Sequence, residues 1–288
     1  MRTADPDWRP VSWKRPPVAA GKHLITIQCE DYQACHGLQI VKCGGLSASS
    51  KTQFPFLSGT AKTSWAQAPD GEVHIWPSSP HSCRAFNQIL KLEGIDQTEG
   101  VIVISGKEAA VEVCSGDRYF VENILEELDS PGEWYLNRQT GQLFHWPPAK
   151  PPGKTTIVAP MLGRIVQIIG DAAAKQPVSH LRFSGLTFQD TDYSPDDGCE
   201  GYGMGNDGVV YVKDAIECAV ENCTFRNIGK YAVCLSGGRG HAINGNDIGH
   251  SAEGGVLLLK TAGNTISDNH IHDCGFVYKH IGGVILEG

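Results

Sequence analysis

Between Asp190 and Asn206 the chain carries Asp190, Asp192, Tyr193, Asp196, Asp197, Glu200 and Tyr202. Carboxylates accept hydrogen bonds from sugar hydroxyls and tyrosine rings pack on sugar faces, so these residue types suit a carbohydrate subsite. An acidic, solvated loop is the alternative reading. Asp190, Asp192, Tyr193 and Tyr202, with His250 and Tyr278 further along, are the substrate-binding candidates, and Asp190, Asp192 and Asp273 are the candidates for catalysis.

Glycoside hydrolysis sets a distance test for such carboxylates. Retaining enzymes need about 5–5.5 Å between the two groups and inverting enzymes about 6.5–9.5 Å. In this chain the spacing follows from a repeat of 23 residues, which stacks Asp190, Asn227, His250 and Asp273 in one polar column and Asp207, Lys230 and Glu253 in another, continued by Ile281. Asp190 and Asp273 are three coils apart, roughly 14 Å, which is too far for a catalytic pair. Asp207 and Glu253 are two coils apart at about 9.6 Å, with Lys230 between them to hold both ionised, so this column reads as a structural ion ladder. The regular coils therefore offer no acid and nucleophile pair.

His270, His272, Asp273 and His280 invite a metal reading. His270 and His272 flank Ile271 and share an outward face, but the pattern fixes no third ligand, and no metal is expected. No cofactor is implied, while Asp190 and Asp192 leave structural calcium open without an EF-hand loop. The glycine-rich stretches Ser236 to Gly240 and Gly201 to Gly208 lack the lysine and Ser/Thr of a phosphate loop and read as turns.

The elements that position these residues repeat. Phe183 and Phe188, Val220 and Phe225, Ile243 and Ile248, and Ile266 and Ile271 occupy equivalent places, with starts 37, 23 and 23 residues apart. A second apolar pattern centred on Val210, Val233, Val256 and Val284 recurs at 23, 23 and 28. Both departures from 23, of 14 and 5 residues, fall in the same turn, and insertions on one face of a solenoid commonly wall a binding groove. Short strands with glycine or asparagine corners describe an all-β parallel β-helix. A leucine-rich repeat would need a denser leucine signature, whereas Asn246 and Asn269 recur at one corner as the start of an asparagine ladder.

Before the coils, Glu72–Trp76, Gln88 to Leu92, Val101 to Ile104 and Arg118 to Val121 read as strands, and Trp134 to Trp146 reads as a hairpin turning at Gly141. Pro147-Pro148 and Pro151-Pro152-Gly153 end it. The expected division is an unassigned segment 1–62, a small β-rich domain 63–152 and a parallel β-helix 153–288.

The 34 glycines and an 8% aromatic content suit a turn-rich β protein. With 24 Lys+Arg scattered against 32 Asp+Glu, the formal charge is −8, which argues against nucleic acid as a partner. No apolar run reaches membrane-spanning length, and the stretch Met1 to Lys22 lacks the apolar core of a signal peptide. The ten cysteines show no CxxC and no zinc-type doublets. Cys218, Cys223 and Cys234 sit in apolar strands as small buried hydrophobes, and no disulfide framework is expected.

Gly116 to Asn123, Glu126 to Tyr135, Arg138-Gln139-Thr140-Gly141 and Trp146-Pro147-Pro148, followed by Ser179 to Phe188 and Glu221 to Phe225, resemble bacterial right-handed parallel β-helix proteins of the carbohydrate-active, pectate-lyase-like group, including relatives of β-helix glycoside hydrolases. The match runs from roughly Trp65 to Gly288. It implies an extracytoplasmic monomer acting on a polysaccharide or oligosaccharide. In the glycosidases of that group the catalytic carboxylates lie in coils later than the last one here, and the chain stops at Glu287-Gly288 at the end of a strand. A helix truncated at its C-terminus is therefore expected, with no catalytic residue carried over and no glycoside hydrolysis by this chain alone. The readings that follow are a glycoside hydrolase or polysaccharide lyase with part of its groove present, or a non-catalytic β-helix for glycan binding or surface attachment.

Overall fold

The computed structural model describes residues 41–42, 52–56, 61, 65, 68, 70–77, 87–105, 109, 113–114, 117–147, 157–193, 205–279 and 281–288. The chain forms two compact units, residues 1–158 and 159–288.

The first unit is built on a six-stranded antiparallel sheet in the order Val41–Lys42, Arg118–Glu122, Glu72–Trp76, Gln88–Asp96, Val101–Ser105 and Gln53–Pro55. The four strands expected from the sequence are present. Gln88–Asp96 runs further than its apolar alternation suggests, because its register to the next strand shifts between Leu92 and Gly94 and a bulge there carries the strand past Glu93. Two edge strands come from the segment left unassigned, and proline-bearing Gln53–Pro55 lies at an edge, where a missing N–H is tolerated. Val73, Ile75, Leu92, Ile102 and Tyr119 form the core, with Phe54 edge-on to Tyr119. The hairpin pairs Trp134 with His145 through Asn137 with Gln142, and Gly141 takes φ 69° in its turn.

The second unit is a solenoid of three larger parallel sheets and a two-stranded one that pairs Val178–Ser179 with Ala215–Ile216. Sheet A contains Val166–Ile169, Gly208–Lys213, Tyr231–Ser236, Val256–Leu259 and Val284–Glu287. Sheet B contains Arg182–Ser184, Ala219–Glu221, Ala242–Asn244 and Thr265–Ser267, and sheet C contains Thr187–Gln189, Thr224–Ile228, Asp247–Ser251 and His270–Ile271. Strand partners reproduce the sequence register: Phe183 pairs with Val220, Phe188 with Phe225, Val210 with Val233 and Val256 with Val284. The ladder starts one strand earlier than the repeat reveals, since Val166 pairs with Val210. The inward residues form a continuous core in which Phe188 stacks on Phe225 with ring centroids 4.8 Å apart.

Residues with positive φ recur in columns at the described corners. Asp190, Asn227, His250 and Asp273 occupy one such column at φ 46–56°, and Gly185, Asn222, Gly245 and Asp268 occupy another. Gly, Asn and Asp tolerate this left-handed conformation best, which is why these types recur at the coil period. The asparagine ladder is also present. Cys223 N–H donates to Asn246 Oδ1 at 2.9 Å, Asn246 N–H and Nδ2 donate to Asn269 Oδ1 at 2.9 Å, and Asn246 Nδ2 also reaches the Val220 carbonyl. At a neighbouring corner Cys218 N–H donates to His241 Nδ1 and His241 N–H to Asn264 Oδ1. Among the described cysteines, Cys218, Cys223 and Cys234 are buried as expected, and Cys114 and Cys274 are half-buried. The other cysteines lie outside the described residues.

Candidate functional site

The turn from sheet C to sheet A varies in length, and the residues singled out for chemistry collect around it. In its shortest form it consists of Gly229 and Lys230, between Ile228 and Tyr231. Gly229 is required there, because a Cβ would collide with the carbonyl oxygen of Asp192. Gly229 N–H donates to Thr191 Oγ1 at 2.9 Å, Thr191 N–H to the Asn227 carbonyl and Asp192 N–H to the Leu162 carbonyl. The start of the long insertion is thereby fixed on the coils beside it.

Beyond these contacts stands the ion ladder. Lys230 Nζ lies 2.9 Å from Asp207 Oδ2, while Asp207 Oδ1 accepts from Arg164 Nε and from Gly208 N–H, each at 2.8 Å. Arg164 also donates to Gln167 Oε1 at 2.8 Å and lies over the Tyr211 ring at 4.3 Å. Burial alone would raise the Asp207 carboxyl, but the hydrogen bonds from Lys230, Gly208 and Arg164 outweigh it and hold the group below the usual carboxylate range. Glu253 differs from the expectation that Lys230 keeps both acids ionised. It is 3% exposed, and burial pushes its carboxyl up to about 7 against the Tyr231 N–H, the Lys230 charge and the Gly205 N–H. Desolvation exceeds the attraction of an ammonium group that is already hydrogen-bonded to Asp207. Arg164, Gln167, Asp207 and Lys230, with Met161 and Leu162, line an open cleft of about 420 Å³.

The other candidates are dispersed. Asp190 and Asp273 are left-handed corner residues, and Asp190 Oδ1 accepts from Asn227 Nδ2 at 3.2 Å. Asp192 has an exposed side chain, and Tyr193 meets Tyr278 edge-on at 6.5 Å. Tyr278 cannot face a ligand, because it is 2% exposed. Phe276, Val277 and Tyr278 donate their N–H groups to the carbonyls of Ser251 and Ala252, which curls the second insertion inward and buries the tyrosine. The aromatic presented to solvent is instead Phe276, 56% exposed and stacked on His250 with ring centroids 5.5 Å apart. Tyr202, Asp196, Asp197, Glu200 and His280 lie outside the described residues.

Sheet C also ends in a polar cluster. His270 Nδ1 is 2.9 Å and His272 Nε2 3.4 Å from Asp247 Oδ1, and His272 Nδ1 is 2.8 Å from Asp273 Oδ2. Asp247 was missed as a partner of this pair, although it precedes His270 by one period. In the first unit Glu72 lies opposite Glu122, His74 is 3.1 Å from Glu122 and Arg138 is 3.2 Å from Glu72, a partly buried ion cluster that the sequence did not reveal.

Residues 207–288 match the family described as right handed beta helix region. The second unit is a right-handed parallel β-helix. The whole chain is also similar to a solved structure named as a glycoside hydrolase, at 16% identity and a TM-score of 0.63, over 96% of this chain and 55% of that one. The β-helix chain thus spans about half the length of that structure. No curated protein matches it. Among the described residues no helix is long and apolar enough to cross a membrane.

Proposed function

We propose that this β-helix protein is carbohydrate-active and glycoside hydrolase-like, engaging a polysaccharide or oligosaccharide along the face formed by the turns from sheet C to sheet A, outside the cytoplasm. The observation that carries the reading is the cleft at Arg164, Gln167, Asp207 and Lys230. There, Gln167 stands on a strand and Arg164, Asp207 and Lys230 lie just before strands of the same parallel sheet, their hydrogen-bonding groups held beside the start of the long insertion. Sugars are bound by such fixed donors and acceptors. The likeness to a structure named as a glycoside hydrolase supports the same reading. Asp190 and Asp273 serve as corners and Asp207 and Glu253 serve the ladder, so the acid and nucleophile come from outside these four groups.

That engagement of the carboxylates also favours a second reading, a β-helix that binds glycans without cleaving them. Incubating the purified chain with a panel of polysaccharides and aryl-glycosides separates the two. Saturable binding with new reducing ends is the result the first reading predicts, and binding without them is the result the second predicts. Turnover abolished by Asp190→Asn would overturn the assignment of the catalytic pair to other residues.

A further inference from the structure

The histidines at the end of sheet C are arranged as metal ligands. His270 and His272 flank Ile271, which packs against the core, so both imidazoles stand on the outer face. Asp247 is one coil below His270 in register. Gly249 lies beneath His272, and a Cβ there would collide with the imidazole ring. The absence of a side chain at Gly249 lets the ring lie back towards Asp247, stacked on His270 with centroids 4.3 Å apart. His270 Nδ1 and His272 Nε2 then converge on one oxygen, Asp247 Oδ1, at 2.9 and 3.4 Å.

Asp273 supplies the remaining feature. Its Oδ2 is 2.8 Å from His272 Nδ1, so a neutral His272 with its proton on Nδ1 donates to that carboxylate and keeps the Nε2 lone pair for an ion beside Asp247. A carboxylate that holds the far nitrogen of an imidazole is the usual outer partner of a metal-bound histidine. Two imidazoles and one carboxylate suit a first-row divalent ion such as zinc and not calcium, which takes oxygen ligands. We infer that Asp247, His270 and His272 bind a divalent transition ion, with Asp273 orienting His272 and solvent completing the coordination. The ion would join the last two coils of sheet C across their outer face.

The test is titration of the untagged full chain with Co²⁺ followed by displacement with Zn²⁺. The expected result is a visible Co²⁺ absorption that saturates at one equivalent and is removed by Zn²⁺. Asp247→Ala and His272→Ala should each abolish that absorption, and Asp273→Asn should weaken binding about 10–100-fold. Zn²⁺ should raise the unfolding midpoint of the parent chain but not of His272→Ala. Absence of binding, or binding at unchanged affinity in all three variants, would overturn the inference and leave His272 as an imidazolium paired with Asp247 and Asp273.

Discussion

Asn246 is 1% exposed and connects three coils through its side chain. Asn246→Ala strands the Cys223 N–H and the Val220 carbonyl in an apolar interior. It should cost on the order of 3 kcal/mol in urea unfolding, whereas Ser267→Ala, which removes a partly exposed bond to Asn244, should stay within about 0.5 kcal/mol. Glu253 makes a pH-dependent contribution of definite sign. Its folded carboxyl titrates at about 7 against an ordinary 4.5, so the folded state retains a proton that the unfolded chain releases. That stabilisation is fully present below pH 4.5 and is lost as pH rises towards 7, a loss of about 3 kcal/mol at 1.36 kcal/mol per unit. Denaturation between pH 5 and 8 should show this decline in the parent chain and lose it in Glu253→Gln, and equal slopes would exclude Glu253 as its source. Residue roles were legible only where the period determined them. The period stacks Asp207, Lys230 and Glu253, but it carries no information on burial, which decides the protonation of Glu253 and hides Tyr278.

The turn from sheet C to sheet A depends on close backbone approach, and the corners depend on backbone conformation. These can be tested separately. Gly229→Ala drives a methyl group into the Asp192 carbonyl and should cost about 1–3 kcal/mol through displacement of the Thr191–Asp192 contacts. Gly185, at φ 69°, has open space around it and shares its column with Asn222. Gly185→Asn should therefore remain within about 0.5 kcal/mol of the parent, while Gly185→Val should cost about 1–2 kcal/mol because a β-branched residue resists the left-handed region. Thermal or chemical unfolding of the three variants decides between contact and conformation as the cause. The position of the insertion was readable because both departures from 23 residues fell in one turn. Its inward curl at Phe276 to Tyr278 was not, because it depends on hydrogen bonds to Ser251 and Ala252 that leave no periodic trace.

For the molecule as a whole, the β-helix was legible because two independent apolar patterns share one period, and parallel coils make that period a direct statement of strand pairing. The first strand, Val166–Ile169, escaped notice because it has no equivalent one period away and is joined to the next sheet A strand through sheets B and C and the long insertion. The first unit showed its strands by alternation but not its sheet order, which depends on long-range pairing such as Glu72–Trp76 between Arg118–Glu122 and Gln88–Asp96. The proposed function rests on a glycan lying in the cleft of the second unit, and the most direct measurement is calorimetric titration of the full chain with a panel of neutral and acidic polysaccharides. The account predicts saturable binding to at least one of them, weakened at least about tenfold by Arg164→Ala or Gln167→Ala with the circular dichroism spectrum unchanged. Binding to none of the panel, or binding indifferent to both substitutions, would contradict it.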